Sequence, residues 1–236
     1  MGISEFSEKR KSPYKFLTFY FVAFVTFYLT QAVLLNRLID VDGLYITGGT
    51  FIYFLSPLIV DVVAEVYGYR AARQILWLGF AAIIFFSIVI AICIRTPYPP
   101  FWGHMAMAYS TALHSLARTT IVGLIATMIG QFTNIYLISK WKILCRGKYF
   151  WLRSVGSSII GDTLTVVLAI LGIFWGRIPP HAFMSILLPE LIVMIVFSMV
   201  GAIPAWLLAN LTAKAENLNV YDVGVNFNPF KVLMKD

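Results

Sequence analysis

The chain has 236 residues, 60% of them hydrophobic and only 12% charged, with a formal net charge of +7 and a mean hydropathy of +0.83. A soluble domain carries about 25% charged and about 45–50% apolar residues, and its surface-to-volume ratio demands a polar exterior that this composition cannot supply. Disorder is excluded by the same figures, since 16% aromatics and long apolar runs are the opposite of its signature. The composition is that of an integral membrane protein.

Six apolar runs have roughly the 20-residue length that crosses a hydrocarbon core: 16–35, 44–66, 74–94, 118–139, 154–175 and 183–210. The short alternating segments of a membrane β-barrel are absent from the sequence. The first run follows Lys9, Arg10, Lys11 and Lys15 as a secretory signal would. It exceeds the about 7–15 apolar residues of a signal, however, and its exit from Gln31 to Arg37 has no small-residue cleavage site. It reads as a retained helix. The second run contains Pro57, then Asp61 and Glu65. Between the third and fourth, Pro97, Pro99, Pro100 and Trp102 predict a Pro-rich turn followed by a short interfacial helix. The expected architecture is an all-α integral membrane protein, a bundle of six transmembrane helices. Residues 1–213 form its single domain, and 214–236 a polar cytoplasmic tail, extended with a docking role or partly disordered.

Alternating six spans from a cytoplasmic N-terminus puts fourteen Lys and Arg residues inside. Only Arg37, Arg95, Arg118 and Arg177 then fall outside. The positive-inside rule therefore predicts both termini in the cytoplasm. Basic loops against anionic lipid account for the net charge without a nucleic-acid partner. Cys93 and Cys145 fall on opposite sides of the bilayer, too far apart for a disulfide. His104, His114 and His181 lie outside without metal-ligand spacing, so neither a metal nor a cofactor is expected.

Ionisable groups within a span are costly, about 2.5–3.5 kcal/mol at a helix centre, and each invites a functional reading. Asp61 and Glu65 share a helix face. Pro57, one turn before Asp61, predicts a kink or break there, as at transporter ion and substrate sites. Near the cytoplasmic end, Glu65 could pair with Arg70 or Arg73. The fourth span carries Thr127, Gly130, Gln131 and Asn134; the fifth carries Ser158, Gly161, Asp162 and Thr165. Both sets have offsets of 0, 3, 4 and 7, which place the polar groups on one stripe with a glycine for close approach. Two facing stripes would make a binding cleft, or act as glue between helices. Asp162, close to mid-span, is expected to be the polar anchor. Asp61, Gln131, Asn134, Ser158, Asp162 and Thr165 are the candidate substrate ligands, with Glu65, Arg118 and Glu190 as charge partners. Amides and hydroxyls of this kind can read the edge of a nitrogen heterocycle, with Phe132 or Tyr136 stacking on its face. Gly172 and Gly176, a GxxxG pair, are expected to serve packing.

The stretch from Asp61 through Glu65-Val66-Tyr67-Gly68 to Arg73 resembles a signature of the queuosine precursor transporter family, also called the vitamin uptake transporter family. Three further blocks agree in order: Arg118 with Gly130-Gln131; Trp151-Leu152-Arg153 with Ser157-Ser158 and Gly161; and Asn228-Pro229-Phe230. The resemblance implies a six-helix carrier of the bacterial inner membrane that imports 7-deazapurine precursors of queuosine. The family usually has an Asp at the positions of Asn134 and Thr165, and often a Lys near Met194. Asp162 stands where Gln, Glu or Asn is common. An acid moved from 165 to 162 would keep the charge in the cleft. A substrate-capture subunit working with a separate ATPase is the alternative reading. An intramembrane serine enzyme is disfavoured, because Ser157 and Ser158 lie in the membrane and every histidine lies outside it. The small-residue motifs and aromatic surface are compatible with a homo-oligomer.

Overall fold

In lipid, backbone N–H and C=O groups find no water, so a run that crosses it satisfies them internally as a helix. The structure, a computed structural model, describes residues 14–35, 37–42, 44–114, 116–176 and 179–231, with the backbone alone at 44, 116–118 and 180–182. Its elements are α1 (Leu17–Leu34), β1 (Leu38–Val41), β2 (Leu44–Thr47), α2 (Thr50–Tyr53), α3 (Leu55–Tyr67), α4 (Tyr69–Cys93), a 3₁₀ turn (Pro100–Trp102), α5 (Gly103–Leu113), α6 (Leu116–Leu144), α7 (Phe150–Phe174) and α8 (Pro180–Glu216). Among the described residues, six segments are long and apolar enough to span a membrane, with α2 and α3 together forming the second.

That second segment departs from the expected uninterrupted run over 44–66. Its first residues, Leu44–Thr47, pair as β2 with β1 in an antiparallel hairpin, Leu38 opposite Thr47 and Val41 opposite Leu44. The connection is Asp42-Gly43, a residue pair that two-residue hairpin turns favour, and Asp42 takes φ +52°. Gly48 and Gly49 then pass close under the end of α1, where an added Cβ would meet the Leu34 and Gln31 carbonyls at 3.1 and 3.0 Å. The helix restarts at Phe54, between α2 and α3. Pro57 therefore sits in the first turn of α3, where a missing N–H leaves no intrahelical bond unmade.

Helix α3 is the hub. Within the span it shares with α2, 72% of the residues are buried, against 17% for α1. It packs against α1, α4, α6 and α8. Tyr20, Phe24 and Tyr28 line the inner side of α1, and Phe24 presses on Gly79 of α4, where a Cβ would collide with its ring. A second apolar cluster joins Tyr53, Val166, Ile170, Ile186, Leu187 and Met194 near the β-hairpin. The 3₁₀ turn and α5 follow the Pro-rich segment as expected and bury no residue.

Helices α6 and α7 form the most intimate pair. They cross at Gly130 and Gly161, where a Cβ on Gly130 would overlap the Thr165 hydroxyl and the Gly161 carbonyl. Gly130→Ala is expected to destabilise the protein by about 1–3 kcal/mol, the range for overpacking. A thermal melt in detergent checks this against Gly123→Ala, whose site has nothing within 4 Å. Gly172 fits the expected packing role, because its Cβ would strike Val122. Gly176 does not: it lies beyond the end of α7 with φ +72°, and among the described residues nothing lies within 4 Å of an added Cβ.

Helix α8 has 37 residues and runs to Glu216, three residues past the expected bundle boundary. At 1.5 Å per residue it is about 55 Å long, so it tilts or projects beyond a roughly 30 Å hydrocarbon core. The following residues dock as a strap on the end of the bundle opposite the hairpin. Trp77 Nε1 donates to the Pro229 carbonyl (2.7 Å), Arg73 to the Asn228 carbonyl (2.8 Å) and the Tyr69 hydroxyl to the Phe227 carbonyl (2.9 Å). Asp222 accepts from the Tyr69 N–H at 3.0 Å and so caps α4 from 153 residues away. Burial pushes the Asp222 carboxyl above its ordinary range, against the pull of that N–H and of Lys142. Gly68, at φ +84°, leaves room for Asp222, whose Oδ1 would lie 2.8 Å from an added Cβ.

Candidate functional site

Polar side chains form three tiers along the bundle, from the hairpin end to the strap end. The first surrounds a cavity of about 260 Å³ between α1, the hairpin, α2, α6, α7 and α8. Gln31, Thr47, Thr50, Tyr53, Thr119, Thr127, Thr165 and Glu190 supply its polar side chains, and its apolar wall includes Val166, Ile170, Ile173, Phe174 and Met194. Glu190, only 4% exposed, accepts from the Thr47 N–H (2.7 Å) and the Thr50 hydroxyl (2.6 Å), which ties α8 to the hairpin and α2. Gln31 Oε1 is buried without a partner among the described residues. A carboxylate has about four acceptor positions, so Glu190 keeps capacity for a ligand.

Tyr53 is the step to the second tier. Its hydroxyl donates to Asp162 (2.9 Å) and lies 3.5 Å from Gln131 Nε2. The other Asp162 oxygen accepts from Ser198 (3.0 Å). Asp162 also borders a small cavity of about 20 Å³, shared with Asp61, Ser154, Ser158 and Ser198. Asp61 accepts from Asn134 Nδ2 (2.8 Å), Ser154 and Ser158 (3.3 Å). Among the described residues neither carboxylate is paired with a basic side chain. The oxygens Gln131 Oε1 and Asn134 Oδ1 are buried without partners among the described residues.

The third tier is an ion-pair network at the strap end. Arg153 forks onto Glu65 at 3.0 and 3.1 Å, the bidentate geometry a guanidinium favours. Its Nε donates to the Lys148 carbonyl. Lys142 lies 3.8 Å from the Glu65 carboxylate and donates to the Glu65 and Val220 carbonyls, tying the strap to α3. The partners considered for Glu65 on sequence grounds, Arg70 and Arg73, are replaced by residues of α6 and α7. A helix α3 buried in the bundle centre turns Glu65 inward, while Arg73 is taken by the strap.

Of the six expected ligands, Thr165 lines the large cavity, and Asp61, Ser158 and Asp162 the small one. Gln131 and Asn134 support Tyr53 and Asp61. The α6 and α7 stripes are pressed together at their glycines, so the large cavity opens beside them and takes α1, α2 and α8 as its other walls. Phe132 packs on Trp77 and Phe80, and Tyr136 on Phe227, so neither stacks over the cavity. Its aromatic members are Tyr53 and Phe174. The Arg118 and His181 side chains lie outside the described ones. Tyr53, Thr50, Ser154 and Ser198 escaped the sequence reading, and Arg153, present in a resemblance block, was not expected to pair with Glu65. Arg153 alone carried a signal, a basic residue four before Ser157 at the start of a span.

A six-span bundle that encloses a polar-lined cavity, with stacked polar tiers along its interior, has the build of a multi-pass membrane carrier. Residues 47–209, more than half of the chain, match the family described as "Putative vitamin uptake transporter", and the chain belongs to that family. A curated relative, the "Probable queuosine precursor transporter" of Bacillus subtilis (strain 168), is 27% identical over 155 residues, covering 63% of this chain and 67% of that protein. No solved structure matches.

Proposed function

We propose that this protein imports a small planar nitrogen heterocycle, a 7-deazapurine precursor of queuosine, across a bacterial inner membrane with both termini in the cytoplasm. The observation that carries the reading is the 260 Å³ cavity with a single carboxylate, Glu190, among hydroxyls and an amide. It is smaller than the roughly 300–1,000 Å³ of pockets for drug-sized ligands, which suits one fused-ring base. Glu190 accepts from the amino and ring N–H groups of such a base. Tyr53 and Thr165 give their hydroxyl protons to Asp162 and the Gly161 carbonyl, so their oxygens accept from the base as well, and its carbonyl and ring nitrogens meet Thr127 and the Gln31 amide. The apolar wall of Val166, Ile170 and Phe174 covers the ring faces. The similarity to a queuosine precursor transporter supports the same substrate class. The orientation rests on the distribution of basic residues, which puts the cavity toward the outside and the Glu65–Arg153 network toward the cytoplasm.

Vesicles containing only this protein test the reading. They are expected to take up a radiolabelled 7-deazaguanine without ATP, competed by related deazapurines and not by amino acids or sugars. Uptake that requires an added ATPase would make the chain a capture subunit instead.

A further inference from the structure

We propose that Asp61 and Asp162 form a proton-carrying pair that couples import to the proton gradient. The proposal rests on the chain's being a carrier, and not on which heterocycle it carries.

Two carboxylates sit within the bundle on the same small cavity, with no basic partner among the described residues. Burying such charge unpaired is costly, and the cheapest relief is a proton. Titratable and charged groups that the surrounding elements hold inside the bundle include Tyr28 on α1, Tyr53 on α2, Glu65 on α3, Lys142 on α6, Arg153 on α7 and Glu190 on α8. Arg153 and Lys142 are both committed to Glu65, and Glu190 to Thr47 and Thr50. None of them neutralises Asp61 or Asp162.

Asn134 supplies a second, independent observation. Its Nδ2 donates to Asp61 at 2.8 Å, while its Oδ1, fully buried, has no donor among the described residues. A primary amide is a donor on one side and an acceptor on the other. It therefore matches both states of its neighbour. With Asp61 ionised, the N–H donates; with Asp61 protonated, a turned amide accepts the new O–H through the oxygen that is otherwise idle. Ser154 and Ser158 can reverse by rotating their hydroxyls. A site built only for a permanent carboxylate needs no such acceptor.

The connections give a route. Tyr53 borders the large cavity and bonds Asp162. Asp162 and Asp61 share a cavity of about 20 Å³, enough for one water, which needs about 10–15 Å³. A proton from water in the large cavity binds Asp162 and neutralises it. It passes through a bridging water to Asp61, leaving Asp162 ionised again. Asp61 releases it toward the strap end when the Glu65–Arg153 network, one helical turn further along α3, opens. One proton enters and one leaves per cycle.

The test uses the full-length protein in two measurements. In proteoliposomes with equal sodium on both sides, an inward gradient of one pH unit is expected to drive about tenfold accumulation of radiolabelled 7-deazaguanine, if one proton accompanies each neutral molecule. A protonophore abolishes it, and in Asp61→Asn the response to the pH gradient is lost. The second needs no substrate: infrared difference spectra of the purified protein across a pH titration should show a buried carboxylic-acid band that disappears in Asp61→Asn and shifts in Asn134→Leu. A titrating band without uptake of the deazaguanine would sustain the proton pair and count against the substrate. Accumulation that follows a sodium gradient at constant pH, or a wild-type spectrum with no titrating buried acid, overturns the proposal.

Discussion

Arg153→Met is expected to be the most destabilising single substitution at the strap end, at about 3–5 kcal/mol, the cost of breaking a buried ion pair by removing one partner. Arg153 is 2% exposed and holds Glu65 by two bonds, with further bonds to the Lys148 and Ile138 carbonyls. Without it, Lys142, at 3.8 Å, is the one basic partner left to Glu65 among the described residues. Arg153→Lys is expected to recover part of the loss, since an ammonium cannot reproduce the fork. The double variant Arg153→Met with Glu65→Met should be more stable than Arg153→Met alone, because it leaves no orphaned charge. Thermal midpoints in detergent and the amount of protein in the membrane fraction report all three. Equal midpoints for wild type and Arg153→Met would show that the network is ornamental.

Asp162→Asn is expected to cut uptake at least about tenfold while the protein still inserts and purifies folded. The substitution keeps the shape and removes the charge that Tyr53 and Ser198 bond at 2.9 and 3.0 Å. Bonds to a charged group contribute about 1.5–3 kcal/mol, and 1.4 kcal/mol is a factor of ten. Asp162→Glu should retain partial uptake if charge is what matters, and Tyr53→Phe should be the milder lesion, since Ser198 remains. Uptake at the wild-type rate in Asp162→Asn, across pH 6 to 8, would reduce Asp162 to interhelical glue.

The helices were legible because lipid leaves the backbone one choice, and runs such as 74–94 and 154–175 have no competing signal. The hairpin was less so. Leu44, Tyr45 and Ile46 add to a hydrophobic count whether they form a strand or a helix, and the Asp42-Gly43 pair that distinguishes the two sits in front of the run. The polar stripes of α6 and α7 were readable from their spacing, which fixes a face but not what it meets. Gly130 and Gly161 brought those faces into contact, so the cavity moved to the side, against α1 and α8. Tyr53 lies in a run of aromatic and aliphatic residues where nothing local separates a hydrogen-bonding phenol from a lipid-facing one. Ser198 is likewise a lone hydroxyl in an apolar helix. Only the tertiary contact with Asp162 gives either residue its role.

Binding of a radiolabelled 7-deazaguanine to the purified protein, compared with Gly123→Phe, tests the central claim most directly. Gly123 borders the large cavity, and among the described residues nothing lies within 4 Å of an added Cβ, so a phenyl ring there is expected to occupy cavity space, with the thermal midpoint as the check that the helices stay packed. Saturable binding by the wild-type protein, lost in Gly123→Phe at an unchanged thermal midpoint, is the predicted result. Binding that survives in the filled variant, or a wild-type protein that binds no heterocycle, would contradict it.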